Sequence, residues 1–141
     1  MTYIKQACCI AALAALAGCG MMGGTSGGKN VHVSLTGAEE VPPVSAAGSG
    51  KGSFTIGADG AVSGSVTTTG VQGTMAHIHR GAPGQNGPVV VPLTKSGDTY
   101  SAPAGAKLSE ADQQAFREGR LYVNVHTDRH KGGEVRAQLK P

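Results

Sequence analysis

The chain lacks tryptophan, and its 141 residues include three tyrosines and two phenylalanines. Phe54, Tyr100, Phe116 and Tyr122 are the rings left once Tyr3 is set aside as part of a leader, so a core must come mostly from Val, Leu and Ile on closely packed, glycine-rich sheets. The three cysteines stand at positions 8, 9 and 19 and none follows, which excludes a disulfide within the rest of the chain. Stability must then come from apolar packing, a bound metal or a partner. Charge of neither sign dominates: 12 Lys and Arg face 9 Asp and Glu. The basic residues are scattered, with Arg129-His130-Lys131 the one small cluster. That excludes the concentrated basic face of a nucleic-acid binder. No apolar run reaches the roughly 20 residues that a membrane-crossing helix requires. The one Gly-x-Ser-x-Gly spacing, Gly24-Thr25-Ser26-Gly27-Gly28, falls in a Gly/Ser-rich stretch and not on a strand-to-helix elbow; no phosphate-binding loop or Cys/His nucleophile pair is present, and the abundant Ser and Thr have no evident base partner.

The first residues read as a targeting segment. Lys5 is followed by an apolar run, Ala7 to Ala17, which closes on Leu16-Ala17-Gly18-Cys19. These proportions are those of a secretory signal peptide. The ending resembles a bacterial lipobox, which implies cleavage after residue 18 and an acylated (palmitate-bearing) Cys19. By the same resemblance, Gly20 in place of an Asp implies sorting to the outer membrane or cell surface. Met21 to Asn30 is rich in Gly and Ser and reads as a flexible tether. The expected organisation is a signal peptide over 1–18, a tether over 19–30 and one folded domain over 31–141.

Within that domain the apolar pattern has period two. Val31–Leu35, Gly52–Ile56, Val62–Thr69, Thr74–His79, Val89–Leu93, Asp98–Ser101, Leu121–Thr127 and Glu134–Leu139 read as strands. Asp59-Gly60 reads as a hairpin turn between two of them. Gly37 to Val44 is expected to run extended, barred from a central ladder by its two prolines. One helix is expected: Ser109 caps it, Glu110 and Asp112 suit its first turn, Leu108, Ala111, Ala115 and Phe116 give its apolar stripe, and Gly119 ends it. Many short strands with one short helix specify an all-β antiparallel sandwich or small barrel.

The chemistry concentrates in three histidines. His77 and His79 stand two apart in Met75-Ala76-His77-Ile78-His79, and His126 lies in Leu121-Tyr122-Val123-Asn124-Val125-His126-Thr127. Side chains at i and i+2 of a strand share a face, so His77 and His79 lie opposite Ile78. His126 likewise lies opposite Val123 and Val125, alongside Tyr122 and Asn124. If the two strands adjoin, the three imidazoles form a metal triangle with one position open for water or another donor. Ring nitrogens within about 4 Å of one another would fit a shared ion at roughly 2.0–2.1 Å from each. The alternative is three polar residues that only hold loops. His130 and His32 are read as solvent-facing. For Glu40, Glu134 and Arg136, a carboxylate–guanidinium pair clamping the sheet edges is preferred to a functional role, in which Arg136 would guide an anion and Glu134 would hydrogen-bond an imidazole.

Taken together, Gly37-Ala38-Glu39-Glu40-Val41-Pro42-Pro43-Val44, His77-Ile78-His79, the glycines 81, 84 and 87, Leu121–Thr127 and Gly132-Gly133-Glu134-Val135-Arg136 resemble a CHRD (chordin-type) domain over about Val31 to Leu139. The resemblance implies an immunoglobulin-like β-barrel without a settled activity. A weaker likeness is to copper/zinc superoxide dismutases, where the copper-ligand roles would fall on His77, His79 and His126 and the guiding role on Arg136. The long zinc loop, the bridging histidine and the disulfide of those enzymes have no counterpart here. The preferred reading is a non-enzymatic, lipid-anchored envelope protein whose three histidines bind copper rather than zinc, in contact with the membrane and an envelope protein partner and without nucleic acid. A lone-copper dismutase and a purely structural or protein-binding module stand beside it.

Overall fold

The computed structural model describes residues 27–141. The expected signal peptide and most of the tether fall outside the described residues. Among the described residues, nine strands form two antiparallel sheets. In chain order they are β1 (Lys29–Leu35), β2 (Ser49–Ile56), β3 (Val62–Thr69), β4 (Gly73–Arg80), β5 (Val89–Pro92), β6 (Thr94–Ser96), β7 (Thr99–Ser101), β8 (Leu121–Thr127) and β9 (Val135–Leu139), with helix α1 (Glu110–Arg117) before β8. One sheet runs β1-β2-β3-β7-β6 and the other β5-β4-β8-β9. The all-β sandwich with one short helix is therefore present. Among the described residues, no helix is long and apolar enough to cross a membrane.

Alternation builds the core. Val31, Val33 and Leu35 of β1, Phe54 and Ile56 of β2, and Val62 and Val66 of β3 point inward from the larger sheet. Ala76 and Ile78 of β4, Leu121, Val123 and Val125 of β8, and Val135, Ala137 and Leu139 of β9 meet them from the other. Phe54, Tyr100 and Phe116 supply the bulk that the small aliphatics lack. Glycine brings the backbones of β2 and β3 together: a Cβ on Gly64, whose φ is +110°, would strike the β2 backbone at Ser53 and Phe54. Reciprocal backbone hydrogen bonds between Thr36 and Arg136, at 3.1 and 3.0 Å, stitch the end of β1 to β9 and close one side of the sandwich.

The helix follows its caps. Ser109 Oγ accepts the backbone N–H of Asp112 at 3.1 Å. At the other end Gly119 adopts φ +68°, and the N–H groups of Gly119 and Arg120 donate to the carbonyls of Phe116 and Ala115. These satisfy carbonyls that the helix end leaves free. Ala115 and Phe116 are buried. Ala111, expected in the apolar stripe, is exposed instead, because at about 100° per residue Asp112 falls between Ala115 and Phe116 on the buried face and Ala111 falls to its edge.

Two other expectations change. Gly37–Glu39 forms a 3-10 turn, closed by Glu40 N–H and Val44 N–H on the Gly37 carbonyl, instead of running extended. The strand expected to continue to Leu93 ends at Pro92: Leu93 donates its N–H to Ala76 O, and the chain crosses to the other sheet as β6, which pairs with β7 across the turn at Gly97.

Urea unfolding checks this hierarchy. Phe54→Ala removes a fully buried ring and is expected to cost about 3–5 kcal/mol. Ser109→Ala, which removes one cap, is expected to cost about 1 kcal/mol.

Candidate metal centre

β4 and β8 are neighbours, and their register places three rows of side chains on the outer face: Met75 opposite His126, His77 opposite Asn124, and His79 opposite Tyr122. β9 extends two of these rows, with Arg136 beside Asn124 and Gln138 beside Tyr122. The inward residues between them, Ala76, Ile78, Val123 and Val125, are fully buried, so the core fixes which side chains face outward.

The three expected histidines converge. One ring nitrogen from each of His77, His79 and His126 lies within 4.8 Å of the others. The closest pair is His77 Nδ1 and His126 Nε2, at 3.0 Å. The spread is wider than the expected 4 Å. Tetrahedral bonds to an ion at 2.0–2.1 Å would set nitrogens about 3.3 Å apart, so closing the site takes imidazole shifts on the order of 1 Å. His79 and His126 are each 8% exposed, while His77 is half-buried and gives the cluster its side toward solvent.

Backbone carbonyls set the tautomers of the two buried rings. His79 Nδ1–H donates to Gly87 O at 3.0 Å, and His126 Nδ1–H donates to Lys131 O at 2.8 Å. Their Nε2 atoms are then left as lone pairs aimed into the cluster, the arrangement typical of metal-ligating histidine. His126 Nε2 accepts a hydrogen bond from His77 Nδ1–H, and His79 Nε2 is buried without a partner. The His77–His126 hydrogen bond occupies the place where an ion would bridge the same two nitrogens. His77 would hold an ion through Nδ1 only as the tautomer protonated at Nε2, which is equally neutral.

Stacking holds the ring positions. The Tyr122 ring lies parallel to His79 at 4.8 Å, and Tyr122 Oη accepts the Gly87 N–H. The Arg136 guanidinium sits 3.5 Å from the centre of the same tyrosine ring. Of the two carboxylates weighed as partners of Arg136, Glu40 is the one whose charge acts on the guanidinium, while Glu134 is turned away from it. Glu134 accepts from Thr127 Oγ1, while Arg136, 1% exposed, donates to Ala82 O, Gln85 O and Asn86 Oδ1. Arg136 therefore clips the 81–87 loop onto the sheet, with these donors directed at the loop. Glu134 reaches no imidazole for the same reason of local pairing. Asn86 extends the clip by donating to Val41 O at 2.7 Å. His130 stands apart from the trio and works through its backbone carbonyl, which accepts from Thr127 and Gly133. His32 is exposed on β1, as expected.

The sequence left Glu40 at the sheet edge. The structure buries it to 3% exposure beside Asn124, Arg136 and Gly133. Gly133 has φ +129°, and a Cβ there would collide with the Glu40 carboxylate and the Asn124 amide. Asn124 donates to Gly132 O, fixing the same turn. The signal in the sequence was an acidic residue directly before Val41-Pro42-Pro43; the turn that brings it against β8 is a long-range pairing that period and spacing do not encode.

Burial pushes the Glu40 carboxyl up to about 7, against the opposing pull of Arg136 and Asn124. Burial, then the neighbouring His126 and His79, pushes His77 down to about 4. The two act on stability in opposite directions. Between pH 6.5 and about 4 the unfolded chain holds a proton that folded His77 refuses. The His77 contribution is therefore complete above that window and is lost as pH falls through it. Folded Glu40 keeps a proton that the unfolded chain releases above about 4.5, so its contribution is complete below that value and is lost as pH rises toward 7. An NMR titration of the metal-free chain should find His77 neutral down to about pH 4; protonation near 6.5 would contradict the packed cluster. Relative to Glu40→Gln, the unsubstituted chain should lose stability from about pH 4.5 to 7.

No curated protein matches this chain, and no solved structure matches it. A protein-family pattern does: the CHRD domain, over residues 31–139. That span takes in both sheets from Val31 to Leu139 and all three converging histidines. The chain belongs to the CHRD domain family.

Proposed function

We propose that this protein is a lipid-anchored, non-enzymatic copper-binding module of the cell envelope. The observation that carries the reading is the pair of buried lone-pair nitrogens, His79 Nε2 and His126 Nε2, aimed at one point with His77 Nδ1 beside them. Neutral imidazole suits copper and zinc, and a divalent first-row site of nitrogen donors holds copper more tightly than zinc. Three ligands leave one position open, and half-buried His77 leaves that position reachable from solvent. Metal uptake or relay at the cell surface needs such access, in contact with an envelope partner. Leu16-Ala17-Gly18-Cys19 supports the acyl anchor at Cys19, and Gly20 supports the outer membrane or surface.

The dismutase-like reading gains nothing from the site, because Arg136 is turned into the loop carbonyls and cannot face an incoming anion.

Titration of Cu(II) into the chain truncated before Gly20 is expected to fill one site. The triple variant His77→Ala, His79→Ala, His126→Ala should bind at least about tenfold more weakly, a loss of about 1.4 kcal/mol or more. Equal weak binding by both proteins ends the copper reading. For the anchor, Cys19→Ser should move the expressed chain from the membrane fraction to the soluble one.

A further inference from the structure

We infer that Met75 is a fourth ligand of this centre and that its thioether makes the site a receptor for monovalent copper. The inference rests on the three-histidine reading above and adds to it one donor and one oxidation state.

The chain has four methionines, at positions 1, 21, 22 and 75, and three cysteines, at 8, 9 and 19. The matched domain, residues 31–139, thus contains a single sulfur atom. That atom lies on the strand and the face that carry His77 and His79. Met75 precedes His77 by two positions on β4, Ala76 between them is fully buried, and Met75 is 50% exposed. Across the ladder, its register partner is His126.

Directly opposed residues on an antiparallel pair have Cβ atoms about 4.5–5.5 Å apart. His126 Nε2 meets His77 Nδ1 at 3.0 Å, so the His126 ring leans over β4 toward the position two residues on from Met75. Met75 is thus the strand neighbour of one of these histidines and the cross-strand neighbour of the other, and its unbranched side chain has three rotatable bonds before its methyl group.

Packing gives Met75 no reason to be there. Methionine ordinarily fills irregular gaps in a core. Here it is one of two large apolar side chains exposed among the described residues; the other is Val89, opposite His79 on β5. A thioether is a soft, neutral donor that favours Cu(I) over Cu(II) and over zinc, whereas imidazole alone serves all three. Three neutral imidazoles and one thioether add no negative charge, which suits a monovalent ion.

The test compares the unsubstituted chain with Met75→Leu, a change of similar size at a surface position that leaves the core untouched. Met21 and Met22 are present in both proteins, so any contribution from them cancels. Cu(I) affinity is measured anaerobically by competition with bicinchoninate, and Cu(II) affinity by competition with glycine. The expected result is a loss of at least about tenfold for Cu(I) and a change within about threefold for Cu(II). X-ray absorption of the Cu(I) form should show one sulfur scatterer that Met75→Leu removes. Unchanged Cu(I) affinity together with the same sulfur signal in both proteins overturns the inference while leaving the histidine site standing, provided the triple histidine variant loses copper. If the triple variant binds both ions as well as the unsubstituted chain, the histidine site and the methionine ligand fall together.

Discussion

Two backbone carbonyls, Gly87 O and Lys131 O, decide what the histidine face can do. Each takes the Nδ1 proton of a buried imidazole and so turns the Nε2 lone pair inward. Were the protons on Nε2 instead, the same rings at the same positions would present N–H groups to one another and could hold no cation. Neither carbonyl belongs to a strand. Both sit in loops whose positions are fixed from elsewhere: Gly87 by Tyr122 and by the loop that Arg136 clips, Lys131 by the turn that Asn124 and Gly133 shape. The donor set thus depends on side chains other than the three histidines.

This explains an unusual distribution of polarity. The outer face of the β5-β4-β8-β9 sheet carries Arg136, Asn124, Tyr122 and, from the preceding turn, Glu40, all nearly inaccessible to solvent. Burying such groups is costly unless their hydrogen-bonding capacity is used. Arg136 meets that condition through three acceptors in one loop and the face of a tyrosine ring. Glu40 meets it only in part: one carboxylate oxygen is without a hydrogen-bond partner, and its neighbour Asn124 has a free carbonyl oxygen. The face is therefore a second, polar core laid over the apolar one, with the histidines at its solvent side.

Much of this architecture is legible in the sequence because it is local. Period-two alternation gives the strands, Asp59-Gly60 gives the turn joining β2 and β3, and Ser109 with Gly119 gives the bounds of α1 to within a residue. The same alternation places His77, His79 and His126 on one face, and the adjacency of β4 and β8 completes the trio. What could not be read depends on contacts distant in the chain. The break between β5 and β6 at Leu93 follows from a hydrogen bond to Ala76, the burial of Glu40 beside Arg136 from a turn folded against β8, and the direction of the Arg136 guanidinium from acceptors in the 81–87 loop. Spacing reports faces and not neighbours; residues whose role is set by a partner some fifty positions away leave no periodic trace.

The Gly132-Gly133 turn carries a consequence for how the chain tolerates change. Position 133 lies in a hairpin between exposed Lys131 and half-exposed Glu134, where variation would ordinarily be harmless. Its missing side chain is instead the space into which the Glu40 carboxylate and the Asn124 amide fit. In a saturation-mutagenesis map, this surface hairpin should contain one site as intolerant as Leu35 or Val123, with even alanine rejected, and its depletion pattern would betray the hidden acid beneath it.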